Sequence, residues 1–328
     1  MREGIALTAF TPRGKALAKR LAAELGGTLR TDEALADWTR TAFNAREALI
    51  FVGAAGIAVR SVAPYIQSKA TDPAVLCVDE SGRWVVPLLS GHLGGANALA
   101  LRVAVITGGE AVITTATDLN DLFAVDLWAK KQGMTVQQPE RIKQVSAKLL
   151  RGENIVIDCP YPVTGSLPAH VRLGSSGDVL VSYRRTDSDA LQLVPRLLTL
   201  GIGCKRGTSS EALNGAFKAF CVERGILPEA FTSAASIDIK RDEAGLLAFC
   251  KAHGWPLRFY SAEELRGAEG AFTASAFVES VTGVDNVCER AAALASGGKL
   301  VERKYAGGGL TFAMAEHYVN YDWSWQDG

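Results

Sequence analysis

At three places in this chain a short apolar run ends in glycine and passes directly into a segment of helical pattern. They are Val52-Gly53-Ala54-Ala55-Gly56, Ser90-Gly91-His92-Leu93-Gly94-Gly95 and Gly201-Ile202-Gly203-Cys204-Lys205-Arg206-Gly207-Thr208. Glycine permits the sharp turn from strand to helix and lets a ligand come close to the backbone. The unpaired N–H groups and the positive end of the helix then favour an anion. In open α/β sheets ligands bind beyond the carboxyl ends of the strands. Repeated strand–glycine–helix units predict layered α/β structure with mainly parallel sheets.

The rest of the pattern divides the chain. Strands are expected at 4–10, 48–52, 75–78, 84–88 and 111–115, the third and fourth forming a hairpin turned by Glu80-Ser81-Gly82. Helices are expected at 12–25, from about 55 to 66, 96–106 and 121–131, with Thr11 as cap and Pro12 in the first turn of the first. Between 137 and 195 the alternation loosens into a helix at 140–150 and short β-rich runs at 155–157, 179–181 and 191–193. It resumes with strands at 197–202, 236–240, 257–260, 300–305 and 310–315, and helices at 208–224, 243–253, 276–281 and 286–296. The reading is two layered α/β domains, 1–136 and 196–328, joined by a small β-rich middle segment, 137–195.

Composition narrows the classes of function. Lys plus Arg equals Asp plus Glu, 35 against 35, which argues against a nucleic-acid coat. No run of about 18 apolar residues could span a membrane, and the first residues are too short an apolar run for a signal peptide. Six scattered cysteines form no CxxC pair and no zinc-spaced cluster with histidine, as in a cytoplasmic protein with reduced thiols.

The glycine junctions carry the candidate chemistry. GIGCKRGT resembles a dinucleotide fingerprint, but its third glycine is one residue late, and it is no Walker loop because Lys205 precedes the last glycine. A nucleotide-dependent α/β enzyme therefore stays open as an alternative. His92, one of four histidines, lies at a helix start, where the dipole favours the neutral ring and a role as general base or acid. Ser90 is read as a helix cap or, less in keeping with the missing G-x-S-x-G elbow, as a nucleophile. Thr114-Thr115-Ala116-Thr117-Asp118 ends a strand; Thr117 or Asp118 could cap the next helix or face a polar ligand. Arg60 could reach solvent or hold a carboxylate. The aromatic tail at 318–325 is expected to pack on a neighbouring domain or subunit.

Together these stretches resemble the cobalt-precorrin-5A hydrolases (CbiG) of anaerobic cobalamin biosynthesis. The likeness rests on Lys69, Asp72-Pro73-Ala74-Val75, Asp79-Glu80, Gly82, Ser90-Gly91-His92, Gly94-Gly95-Ala96-Asn97 and Thr114-Thr115-Ala116-Thr117-Asp118. GIGCKRGT at 201–208, SIDIK at 236–240 and KYAGGGLTFAMA at 304–315 extend it through the second α/β unit. The resemblance implies opening of the δ-lactone of cobalt-precorrin-5A with release of acetaldehyde, giving cobalt-precorrin-5B. It implies no cofactor, since the substrate carries the cobalt, and an anionic corrinoid as partner. No nucleic acid or membrane is expected; a homodimer and transient contact with neighbouring pathway enzymes stay open. The expected catalytic set is His92, Asp118 and Ser90, with the N–H groups of Gly94 and Gly95 as oxyanion hole. The expected substrate contacts are Gly53, Gly56, Arg60, Lys69, Gly91, Gly94, Gly95, Asn97, Thr115, Thr117, Gly201, Gly203, Lys205, Arg206 and Thr208. A non-catalytic corrinoid carrier is the second alternative.

Overall fold

The structure, a computed structural model, describes residues 2–68, 71–92, 94–115 and 122–325. It is a mixed α/β molecule with three main sheets in which most strand pairs are parallel. The first sheet holds β1 (Ile5–Ala9), β2 (Thr28–Leu29), β3 (Ala48–Val52), β4 (Ala74–Val78), β5 (Trp84–Leu89) and β6 (Glu110–Ala111). Their spatial order is β2-β1-β3-β4-β5-β6. β3 reads ALIFV without alternation because helices cover both faces. Ile50 and Val52 pack with the helices Pro12–Leu25 and Ala96–Thr107, and Leu49 and Phe51 with Leu35–Ala45 and Ala55–Val62. Thr11 caps the first helix as expected, its hydroxyl accepting the Gly14 N–H at 3.0 Å. The helix Leu35–Ala45 was not expected. It runs from Ala34 to Arg46 with no side-chain cap, so it lacks the residues that mark a helix in sequence. β4 and β5 form the expected hairpin, so β5 runs against β3 and β4.

The middle sheet holds β7 (Thr135–Val136), β8 (Ile155–Asp158), β10 (Val171–Leu173), β11 (Val179–Val181) and β12 (Leu191–Val194), in the order β10-β8-β11-β12-β7. A separate short strand, β9 (Val163–Thr164), lies beside it in the chain. The core under this sheet includes Phe123 and Trp128 of the segment leading into and through the helix Val125–Lys131. A boundary at 136/137 therefore cuts through this packing unit, which begins near residue 122. Phe123 and Trp128, both before 136, are buried in this middle core.

The third sheet holds β13 (Leu198–Cys204), β14 (Phe231–Ile237), β15 (Leu257–Tyr260), β16 (Lys299–Gly307) and β17 (Leu310–Glu316), in the order β15-β14-β13-β17-β16. β14 starts well before the expected Ser236, because the small residues Ser233-Ala234-Ala235 carry little strand signal yet are sandwiched between two partner strands. The helices Ser210–Glu223 and Ala244–His253 cover one face, and Cys288–Ser296 lies against β13 and β14 on the other. That helix comes so close that a Cβ on Gly201 would stand 1.8 Å from the Cys288 carbonyl oxygen.

From the third sheet the chain returns to the middle one, where β18 (Tyr321–Asp322) pairs with β9. Trp323 stacks on Trp128 with centroids 5.2 Å apart, and the Trp128 Nε1–H donates to the Asp322 carbonyl at 2.6 Å. The tail thus packs on a neighbouring unit of the same chain. No helix among the described residues is long and apolar enough to cross a membrane.

All six cysteines are free. Burial pushes the Cys221 and Cys250 thiols up to about 12, and burial with the Asp79 charge pushes Cys77 up to about 11. Unfolded thiols ionise near their ordinary 9.0, so between that value and about 11 the folded chain holds protons that the unfolded chain has lost. Folding stability is therefore expected to fall as pH rises across this window. Urea midpoints measured from about pH 8 upward check this. A midpoint that stays level to about pH 11 contradicts it.

Candidate active site

Ser90 leaves β5 with a φ of 58° and turns the chain back on itself. Its carbonyl accepts the Ala96 N–H at 3.1 Å, the Gly91 carbonyl the Asn97 N–H at 3.0 Å, and the His92 carbonyl the Gly95 N–H at 2.8 Å. Only glycine fits this curl: a Cβ on Gly94 would stand 2.2 Å from the Ser90 Cβ, and Gly95 has a φ of 82°. The first-turn amides expected to be bare are therefore donated to the turn's own carbonyls. The Gly95 N–H does not form an open oxyanion hole. The helix meets its need for acceptors within the loop, not through a ligand.

Ser90 also departs from expectation. Its hydroxyl donates to the Asp72 carbonyl at 2.9 Å, which ties the turn to the start of β4 and removes the arrangement of an activated nucleophile. The Asp72 carboxylate in turn accepts the Gln67 and Ser68 N–H groups, each at 3.0 Å. Asn97 is buried, lies against Gly91, and donates from Nδ2 to the Thr115 hydroxyl at 3.1 Å. Gly91, Gly94, Gly95, Asn97 and Thr115 thus gather around the turn that carries His92.

The His92 ring faces a carboxylate. Its Nδ1 lies 3.6 Å from Asp126 Oδ2, within ion-pair range, with the two side chains 16% and 8% exposed. Asp126 stands in the first turn of Val125–Lys131, so the pair joins the glycine turn of the first sheet to the helix of the middle unit. Lys130 follows one helical turn later on the same face. Its Nζ lies 3.8 Å from the position a Cβ on Gly95 would take. Asp126 and Lys130 also line a cavity of about 400 Å³ with Met134, Val136, Pro139 and Arg196.

The other expected contacts lie elsewhere. Because β5 opposes β3 and β4, the Ser90 turn sits by the first residues of β4, whereas Gly53 follows the last residue of β3 and donates its N–H to Val78. Gly53, Gly56 and Arg60 are therefore at the opposite end of these strands, roughly 15 Å away at about 3.3 Å per strand residue. The exposed Arg60 guanidinium donates to the Gly56 carbonyl at 3.2 Å. Gly201 and Gly203 serve packing: the first admits the helix Cys288–Ser296, and a Cβ on the second would stand 2.4 Å from the Thr311 hydroxyl.

At Lys205–Thr208 the chain supplies its own anion. The Gly207 N–H donates to Glu243 Oε1 at 2.6 Å, and buried Lys240 holds the same carboxylate at 3.2 Å. A pyrophosphate at this turn would have to displace a buried carboxylate. Thr208 donates to the Lys205 carbonyl, and Arg206 pairs with Asp242 at 3.5 Å in solvent. This cluster stands beyond the far end of β13 from Arg196. The expected convergence of three glycine turns on one ligand does not occur. Lys69, Thr117 and Asp118 lie outside the described residues.

Sequence reasoning passed over Asp126, Lys130 and Arg196. A signal was present for the first: Phe123-Ala124-Val125-Asp126-Leu127-Trp128 places a carboxylate inside an apolar run, and a buried charge requires a partner.

Three family models match the chain in succession. They are Cobalamin synthesis G N-terminal at 37–118, the Cobalamin biosynthesis central region at 123–195, and Cobalamin synthesis G C-terminus at 198–315. These define a protein of cobalamin synthesis. A cobalt-precorrin-5A hydrolase of Salmonella typhimurium is 35% identical, over 95% of this chain and 97% of that protein. One of Priestia megaterium is 30% identical, over 85% of this chain and 80% of its own. The chain belongs to the cobalt-precorrin-5A hydrolase (CbiG) family.

Proposed function

We propose that the protein hydrolyses cobalt-precorrin-5A, opening the δ-lactone of the contracted macrocycle and releasing acetaldehyde to give cobalt-precorrin-5B. Beyond family membership, the observation that carries this reading is the His92–Asp126 pair, whose carboxylate lines a cavity. Asp126 orients the ring through Nδ1, and Nε2 takes a proton from water as the water oxygen bonds to the lactone carbonyl carbon. The ring C–O bond then breaks. As the freed alkoxide carbon becomes the carbonyl of acetaldehyde, its C–C bond to the macrocycle breaks and leaves the electron pair on the ring.

The cobalt arrives as part of the substrate, and the chemistry asks for no further cofactor. The partner is this anionic corrinoid. Balanced charge, 35 against 35, supports neither a nucleic acid nor an anionic membrane surface as partner, and six free cysteines support a cytoplasmic setting.

Incubation of the purified protein with cobalt-precorrin-5A is expected to release one acetaldehyde per macrocycle, measured by reduction with a coupled alcohol dehydrogenase. Binding of the corrinoid without any acetaldehyde would make the protein a carrier and overturn the reading.

A further inference from the structure

We infer that the cavity beside the His92–Asp126 pair is the seat of one carboxylate-bearing arm of the substrate, gripped by Lys130 and Arg196. The inference rests on the proposed function, which supplies a macrocycle edged with carboxylates. The cavity, at about 400 Å³, suits one edge of such a ring and its arm. Met134, Val136 and Pro139 give it an apolar wall on which the methylene stem of an arm would lie. Lys130 and Arg196 bring two exposed cations to its rim, one from the helix Val125–Lys131 and one from the residue pair leading into β13. Asp126, the acidic residue among the described residues that line it, is buried with its carboxylate turned to the His92 ring.

The placement sets reaction geometry. Asp126 and Lys130 are one turn apart on one helix, so the anchoring cation and the group that orients the imidazole keep a fixed separation. Lys130 Nζ also lies over Gly95, next to the turn that carries His92. An arm held here presents the neighbouring ring carbon to that turn. Sequence reading places the carboxylate contacts at Arg60, Lys69, Lys205 and Arg206; the fold puts Arg196, at the other end of β13 from Lys205, on the side of His92.

The test is optical titration with cobalt-precorrin-5A, run alongside the acetaldehyde assay, on wild type, Lys130→Gln/Arg196→Gln and a control of equal charge change, Arg151→Gln/Arg172→Gln. The control residues are exposed and away from the cavity. Kd for the first double variant is expected to rise about tenfold or more. A rise below about fivefold, or one matched by the control pair, overturns the subsite. Lys130→Arg/Arg196→Lys, which keeps both charges, is expected to recover most of the affinity. Thermal unfolding of each variant excludes misfolding as the cause. The two readings separate cleanly: a wild type that binds the corrinoid without releasing acetaldehyde sinks the proposed reaction, while the ratio of Kd values still decides the subsite.

Discussion

Replacing His92 by glutamine is expected to lower kcat for acetaldehyde release by about 10²–10⁴-fold, the usual contribution of a positioned general acid or base. KM should change little, because the ring, with its side chain 16% exposed, offers the substrate little contact area. Asp126→Asn is expected to act in the same direction by a smaller factor. The amide keeps the shape but cannot hold the ring in one tautomer or oppose the charge it gains in the transition state. Steady-state kinetics on both variants, with circular dichroism to confirm folding, provide the check. A His92→Gln protein that turns over at the wild-type rate removes the imidazole from the chemistry. An Asp126→Asn protein with unchanged kcat removes only the orienting role.

The largest effect on stability is expected from Trp128→Ala, at about 3–5 kcal/mol of unfolding free energy. Trp128 is fully buried, stacks on Trp323, packs with Phe123 and donates its indole N–H to the Asp322 carbonyl. Its loss would open a cavity and release the tail together. The substitution also lies two positions beyond Asp126 on one short helix, so activity should fall with stability. Trp128→Phe, which keeps much of the volume and loses the N–H, should cost less. Equilibrium denaturation in urea gives the free energies, and limited proteolysis reports whether residues 319–325 become accessible. A loss below about 1 kcal/mol for the alanine variant contradicts this account of the middle core.

How far the sequence discloses the molecule depends on where each instruction is written. The continuous ALIFV of β3, the Thr11-Pro12 start of the first helix and the hairpin at Glu80-Ser81-Gly82 are local signals, and the structure follows them. The location of the site at SGHLGGAN is local too, in the sense that a histidine among glycines marks a turn with a purpose. The chemistry at that turn is not local. Whether the first-turn amides are bare depends on the carbonyls of Ser90, Gly91 and His92, whose direction follows from a φ of 58° at a serine. That conformation is uncommon for a residue with a side chain and has no signature in a single sequence. The partner of His92 lies on a separate packing unit, and no periodicity connects the two positions. Strand direction matters most. One hairpin sends β5 against β3 and β4 and so moves Gly53 and Ser90 to opposite ends of those strands, although in sequence their turns look alike.

The return of residues 319–325 to the middle core has a consequence for biogenesis. During synthesis, Trp128 and its helix leave the ribosome long before Trp323 does, and in the interval the indole has no ring to stack on. The nascent chain can close its first sheet while the carboxylate that serves His92 is still on an unfinished scaffold. Catalytic competence then waits on those aromatic residues, and a chain halted short of them would be made in quantity and yet be idle.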